Sequence, residues 1–398
     1  MSSTFRIKSL AGVFYILILL LDVVLLMPPV RKMFLDSGPR WGYVLLLSFG
    51  VSYALTPACG WIARQTGILD NPNARKVHLS STPLLGGASV FLGFFCAIVV
   101  NGLFTSKLSA MLIAAAILFA VGLLDDIREI PAWIKLLAQI LCAVWVMSSG
   151  IILDVIPHRL GILSLTGNIL LTIFWLIGIT NAMNFFDGMD GLAAGLSSAI
   201  AFFLGVVAFQ TNQPFLGWVA SAIMGACMGF LPYNFRLRAN ASIFLGDAGS
   251  TVLGFLLACV AVYGKWSETD PVVALASPLL IFWVLIFDMV HITVDRIMTG
   301  KVGSFREWID YVGKDHLHHR LANVLGGRKK SVLFINLMVF CLGTSAIVLR
   351  YARPTDAVLL LAQATVFVGL ITILERRGQV LSDVSNGNDG AGTKPVRK

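Results

Sequence analysis

The chain has 398 residues, 57% of them apolar and 13% charged, with a net charge of +9; its mean hydropathy is +0.83. A soluble domain carries about a quarter charged residues, so too little polar surface is available to cover a water-soluble globule. The basic surplus sits in short loops without an aromatic-interleaved stripe or zinc-finger spacing, which argues against nucleic acid as a partner.

Apolar runs of near-spanning length recur along the whole chain. Segments 10–28, 43–60, 84–102, 108–124, 134–152, 168–180, 191–209, 215–232, 251–263, 272–290, 331–349 and 356–374 are the expected spans. The first follows Arg6 and Lys8 but is long for a signal peptide and lacks a small-residue cleavage site, so it reads as retained. The expected fold is an all-α polytopic bundle of about 11–12 transmembrane helices. One membrane domain covers 1–377, with its motif-bearing core at 64–330, and a Gly/Asn/Ser/Asp-rich tail at 378–398 reads as disordered. Cys59, Cys96, Cys142, Cys227, Cys259 and Cys341 lie in or beside apolar runs without paired spacing, and read as small core hydrophobes.

An even number of spans puts both termini on one side. Of the 30 Lys and Arg, 22 fall on that side, so the positive-inside rule places the termini in the cytoplasm. Arg31, Lys32 and Arg40 go against this trend.

The loops assigned to the outside are chemically plain, whereas those assigned to the inside carry five polar blocks. The first holds Asp70, Asn71, Arg75, Lys76 and His78, then Pro83, Gly86 and Gly87. The second is Asp125-Asp126, with Lys135 two turns into the next span. The third contains Asn181, Asn184, Asp187 and Asp190 at intervals of three, which on a helix share one drifting face. The fourth holds Asn234 and the run Gly246-Asp247-Ala-Gly249-Ser250. The fifth is His316-Leu-His318-His319-Arg320.

Carboxylates and carboxamides crowded near a membrane surface are costly unless a cation sits among them. Hard oxygen ligands point to Mg²⁺, Mn²⁺ or Ca²⁺ rather than zinc or copper. The glycines around Asp247 let the backbone approach an anion at a helix N-terminus. Arg75, Lys76, Lys135 and Arg320 supply cations for a pyrophosphate. Each block alone has a plain reading. An Asp-Asp pair at a helix end is more often a solvated cap, and Gly-Asp-Ala-Gly-Ser alone is an ordinary turn and cap. Asp288, His291 and Asp295 share a face and either join the site or pair with Arg296. It is the gathering of all five blocks on one side that favours a site.

In this order and spacing the blocks resemble the polyprenyl-phosphate N-acetylhexosamine-1-phosphate transferases, over residues 70–320. The Asn-x-x-Asn-x-x-Asp-Gly-x-Asp-Gly block is the most specific. Arg75-Lys76 with His78, and the form His-Leu-His-His-Arg, favour the bacterial branch that loads GlcNAc-1-phosphate onto undecaprenyl phosphate, starting O-antigen, common-antigen or teichoic-acid synthesis. The resemblance implies UDP-N-acetylhexosamine and undecaprenyl phosphate as substrates, Mg²⁺ (with Mn²⁺ as substitute) as cofactor, and a site at the cytoplasmic face of the inner membrane. It implies Asp247 and Asn184 as metal ligands, and Asp125, Asp126, Asp187 and Asp190 as catalytic groups. Arg75, Lys76, His78, Lys135, Asn181, Asn234, His316, His318, His319 and Arg320 would be substrate contacts. A homodimer is in keeping with it. The alternative reading is a transporter of a nucleotide sugar or another anion, which would place polar groups near the bilayer midplane and open to both sides.

Overall fold

The computed structural model describes residues 2–389 except 37, 72–80, 268–269, 305–306, 308–310, 312, 314 and 350–351, and only the backbone of 2–11 and 376–389. Arg75, Lys76 and His78 therefore lie outside the described residues.

The described chain is helical, with a two-stranded ladder, Leu69–Asp70 against Thr82–Pro83, as its only sheet. The helices are α1 (Ser2–Leu26), α2 (Pro28–Asp36), α3 (Arg40–Thr66), α4 (Gly86–Val100), α5 (Ser106–Ile127), α6 (Ala132–Ser148), α7 (Ile162–Phe186) and α8 (Leu192–Gln210). They continue as α9 (Pro214–Asn234), α10 (Gly246–Tyr263), α11 (Pro271–Ile281), α12 (Trp283–Met298), α13 (Leu317–Val324), α14 (Arg328–Val348) and α15 (Pro354–Asp389). Eight are long and apolar enough to cross a membrane, and two bent pairs, α1 with α2 and α11 with α12, pass the same test jointly. Two shorter apolar helices, α4 and α6, fill the remaining expected positions. Every expected span thus coincides with a helix or a bent pair, and the chain is a multi-pass membrane protein.

Lipid-type solvation shows in what is exposed. Leu163, Leu170 and Phe174 of α7 and Leu359, Val366 and Leu374 of α15 lie bare on the surface, as side chains facing hydrocarbon do. Helix α10 is the opposite case. Its most apolar stretch is 89% buried, and glycines let neighbours touch its backbone. A Cβ on Gly87 would fall 2.4 Å from Gly249 N, and one on Gly122 would fall 2.6 Å from Ala248 Cα. Small residues at helix contacts are the usual route to close packing in lipid.

Three expectations change. The tenth span is not one helix: α11 and α12 meet at a 78° bend around Phe282. Pro278 stands inside α11 one turn before the break, where a proline interrupts the helical hydrogen-bond ladder. Asp288 and Arg296 are buried, and they engage the chain around His316 and Asp315. The sixth span is longer than its apolar core and runs over 25 residues, so its C-terminal end carries Asn181 and Asn184 above the apolar part. At the C-terminus the α15 backbone stays helical to Asp389, past Gly378 where composition predicts disorder. Extending an existing helix needs no new nucleus, so a polar stretch can follow the span in register.

Candidate active site

Residues from the first four polar blocks line one cavity of about 620 Å³ at one end of the bundle. The strand that follows α3, the ends of α5, α7 and α9 and the start of α10 all reach it. Asp70, Asp125, Asp126, Glu129, Asp187, Asp190 and Asp247 all line it. The fifth block stands behind the third rather than in the lining, with His318 against Gly188.

Asp247 is the pivot. It sits in the first turn of α10, where helix N–H groups favour an anion. Its Oδ2 lies 3.2 Å from Lys135 Nζ, and its Oδ1 accepts from Asn184 Nδ2 at 3.1 Å. The same Nδ2 donates to Ser250 Oγ at 3.0 Å. Lys135 also contacts Asp125 Oδ2 at 2.6 Å, so one ammonium bridges two carboxylates. Asp125 is further held by the Ile130 N–H at 2.9 Å.

Asp126 has a different task. Its oxygens accept the backbone N–H groups of Asp247 at 2.8 Å and Ala248 at 3.1 Å, capping α10 from a neighbouring helix. Gly246 makes this possible. It has φ +77°, and a Cβ there would fall 2.6 Å from Asp126 Oδ2 and 2.7 Å from Leu84 O. Only glycine takes that conformation in that space.

Asp187 ends α7. Enclosure, together with the charges of Asp247, Asp126 and Asp190, holds its carboxyl well above the usual aspartate range. More carboxyl groups are therefore crowded into the cavity than can all ionise there at once. The oxygen-only donors suit a hard divalent cation. Among the described residues no three His, Cys, Asp or Glu side chains converge at metal-ligand spacing. That fits Mg²⁺, which takes one or two protein oxygens and fills its octahedron with water and phosphate.

Several of the expected site residues also make hydrogen bonds within the protein. Asn181 exchanges hydrogen bonds with Gln139, donating to Oε1 at 2.7 Å and accepting from Nε2 at 3.3 Å. Asn234 borders the cavity, but its Oδ1 accepts from Gly191 N–H at 2.7 Å and its Nδ2 donates to Ile243 O at 2.9 Å. Asp190 accepts from the Ala241 N–H at 2.9 Å. These bonds fix the loops around the cavity.

In the fifth block, His316 Nδ1 lies 2.9 Å from Asp288 Oδ2, and Asp288 Oδ1 accepts from the Leu317 N–H at 2.8 Å. Asp288 thus anchors α13; it does not pair with Arg296, whose guanidinium forms a bidentate pair with Asp315 at 2.8 Å for each contact. Arg320 lies 2.8 Å from Glu375 and 4.0 Å from Asp288, so its charge is balanced inside the protein. His318 is 1% exposed, neither ring nitrogen has a hydrogen-bond partner, and its ring packs on those of Phe186 and His319. Burial and the surrounding His319, His316, Arg328 and Arg320 charges hold it well below the usual histidine range, so it stays neutral. His319 is partly buried beside it.

Sequence reasoning missed Glu129, Gln139 and Glu375. Glu129 follows the Asp-Asp pair closely enough to share its cavity, and Gln139 lies one helical turn after Lys135. Glu375 had a stronger signal, as a carboxylate at the end of an apolar run.

The fold and cavity define a class: polytopic all-α membrane proteins with a carboxylate-lined site at one end of the bundle. Residues 108–265 match Glycosyl transferase family 4. A probable undecaprenyl-phosphate N-acetylglucosaminyl 1-phosphate transferase of Bacillus subtilis (strain 168) is 31% identical over 325 residues, covering 80% of this chain and 87% of the relative. A decaprenyl-phosphate N-acetylglucosaminephosphotransferase of Mycobacterium leprae (strain TN) is 31% identical over 358 residues, covering 81% and 87%. An undecaprenyl-phosphate alpha-N-acetylglucosaminyl 1-phosphate transferase of Escherichia coli (strain K12) is 27% identical over 301 residues, covering 73% and 79%. The chain belongs to the polyprenyl-phosphate N-acetylhexosamine-1-phosphate transferase family.

Proposed function

We propose that the protein transfers N-acetylhexosamine-1-phosphate, in the first instance GlcNAc-1-phosphate, from a UDP-sugar to undecaprenyl phosphate and releases UMP. The observation that carries this is the carboxylate cavity around Asp247, with Lys135 and Asn184 fixed against it. Asp247, with Asn184 beside it, would hold Mg²⁺, which when bound neutralises the pyrophosphate and the leaving UMP.

A phosphate oxygen of the lipid attacks the phosphorus bonded to the sugar. The new P–O bond forms as the bond from that phosphorus to the bridging oxygen breaks, and UMP leaves with that oxygen. A phosphate monoester has a second pKa of about 6, so the attacking oxygen is already ionised at neutral pH. Asp125, held by Lys135 and the Ile130 N–H, therefore orients the ammonium rather than serving as an obligatory base. Lys135 places one positive charge between the two phosphates. Asp126 fixes the first turn of α10, and so the position of Asp247. Preorganised charge and position are the main sources of rate in phosphoryl transfer. A single in-line displacement inverts the configuration at phosphorus.

The gathering of the cavity carboxylates at one end of the bundle supports catalysis at a surface over transport through the midplane. The Lys/Arg surplus on the same side supports a cytoplasm-facing site in a bacterial inner membrane.

The test is UMP release by the purified protein given undecaprenyl phosphate, Mg²⁺ and UDP-GlcNAc. Release that requires both lipid and metal, and is lost in Asp247→Ala, is the expected result. UMP only from another UDP-HexNAc would move the sugar assignment, and no nucleotide monophosphate from any donor would overturn the reading. Retention of configuration at phosphorus would replace single displacement with a covalent intermediate.

A further inference from the structure

Arg31, Lys32 and Arg40 stand at the end of the bundle opposite the cavity. Helix α3 starts at Arg40 and ends beside Leu69–Asp70, while α4 starts near Leu84 and ends at Asn101. The chain turns 70° between α1 and α2, so α2 departs from the direction of the first span. No residue of α2 is buried. A short polar and apolar helix at a span's end is the geometry of an interfacial segment.

Arg31 lies on α2 and Arg40 opens α3, the next helix, so the short turn between them brings two cations to the same end of the bundle. The Nε of each is buried without a hydrogen-bond partner. Among the described residues no carboxylate forms an ion pair with either one. Arg40 Nη2 donates to the carbonyl of Asn101, and the guanidinium lies 4.3 Å over the Trp218 ring, so this arginine is held in place. Asn101 is 3% exposed, and its Oδ1 is also buried and unpartnered. Two like charges with unused buried donors are unfavourable unless an anion joins them. The guanidinium fork matches phosphate oxygens. Trp41, Met27, Leu26 and Phe104 are exposed apolar side chains at the same end of the bundle. A phosphate attached to acyl chains fits both parts of this surface.

We propose that Arg31 and Arg40 bind the phosphate of an anionic phospholipid in the leaflet opposite the catalytic cavity. This site balances charges that violate the positive-inside trend.

Native mass spectrometry of the full chain in detergent, titrated with phosphatidylglycerol or phosphatidylcholine, tests the proposal. The wild type is expected to retain phosphatidylglycerol at least about tenfold better, and Arg31→Gln/Arg40→Gln to lose about tenfold or more, the scale of one or two charge-assisted hydrogen bonds. Lys32→Gln, which removes a charge from the same helix, should leave retention unchanged. Arg40 packs on Trp218, so Arg31→Gln alone is the companion variant, with thermal unfolding verifying its fold; it should lose most of the preference. Equal retention of the two lipids would overturn the proposal, as would a loss in Lys32→Gln matching the double variant. Displacement of phosphatidylglycerol by equimolar inorganic phosphate would assign the site to a free anion instead.

Discussion

Asp126 caps the helix that carries Asp247, reaching it from another helix 121 positions away in sequence. Helix caps are usually supplied by a residue of the same chain segment. Here the cap is tertiary, so the position of Asp247 depends on the contact between α5 and α10. Asp126→Ala is expected to lose about 1–2 kcal/mol of stability, the scale of a lost cap, and most UMP release with it. Asp126→Asn keeps one acceptor but turns an NH₂ toward the second N–H, and should fall between the two. Unfolding in detergent and the UMP assay, run on the same samples, check this.

Lys135 offsets the charges of Asp125 and Asp247. Lys135→Met should weaken binding of the anionic substrates, raising KM and lowering kcat by about 10–1000-fold. It should also lower the Mg²⁺ concentration for half-maximal rate, because the cavity loses a competing cation. Opposite shifts in the two titrations identify the ammonium as an electrostatic element. A parallel rise in both would point to plain unfolding of the site.

A Cβ on Gly188 would fall 2.7 Å from His318 Nε2. Gly188→Ala is therefore expected to displace the fifth block from the third and reduce turnover, while Gly188→Ala combined with His318→Ala should recover part of the lost stability. Additive losses in this double-mutant cycle would show that the two residues are not in contact.

His318 is held neutral in the folded protein, below the usual histidine value of 6.5. The unfolded chain takes up a proton there as pH falls through about 6.5 and the folded chain does not, so stability declines on acidification below that value. Asp187 acts with the opposite sign. Its folded carboxyl holds a proton that the unfolded chain releases above 3.8, so it lowers stability as pH rises from there. Melting curves of wild type and His318→Phe over pH 5–8 separate the two: the variant should lose the decline below about 6.5. An unchanged profile would assign that decline to another group.

Glu375 is 1% exposed and lies against Arg320. Glu375→Gln leaves a buried guanidinium short of a counter-charge, and a loss of about 3 kcal/mol is expected, read by unfolding in detergent.

How far these features can be read from sequence depends on their range. Apolar runs are local, so every span is recognisable. The break between Ile281 and Trp283 has a local signal in Pro278, but the direction α12 takes after it goes with contacts of Asp288 and Arg296 to residues 19–29 positions away, which sequence does not reveal. The polar blocks announce a site through composition and spacing, and Asp125, Asp126, Asp187 and Asp247 do meet in one cavity. Sequence says nothing of how each polar atom is used. Asn181 and Asn234 have the residue type of a ligand, yet both spend their amides within the protein. Arg320 reads as a phosphate contact, and nothing local announces its internal partner, 55 residues away on the last span.

The glycine contacts that press α10 against its neighbours at Gly87 and Gly122 also limit how the bundle can be re-engineered. A helix held backbone to backbone cannot be re-aimed by exchanging core side chains, so the end that carries Asp247 should keep its position when the rest of the bundle is repacked. Grafting the chain between the two short strands, or the segment leading into α13, from one relative to another should move sugar choice without disturbing the reaction.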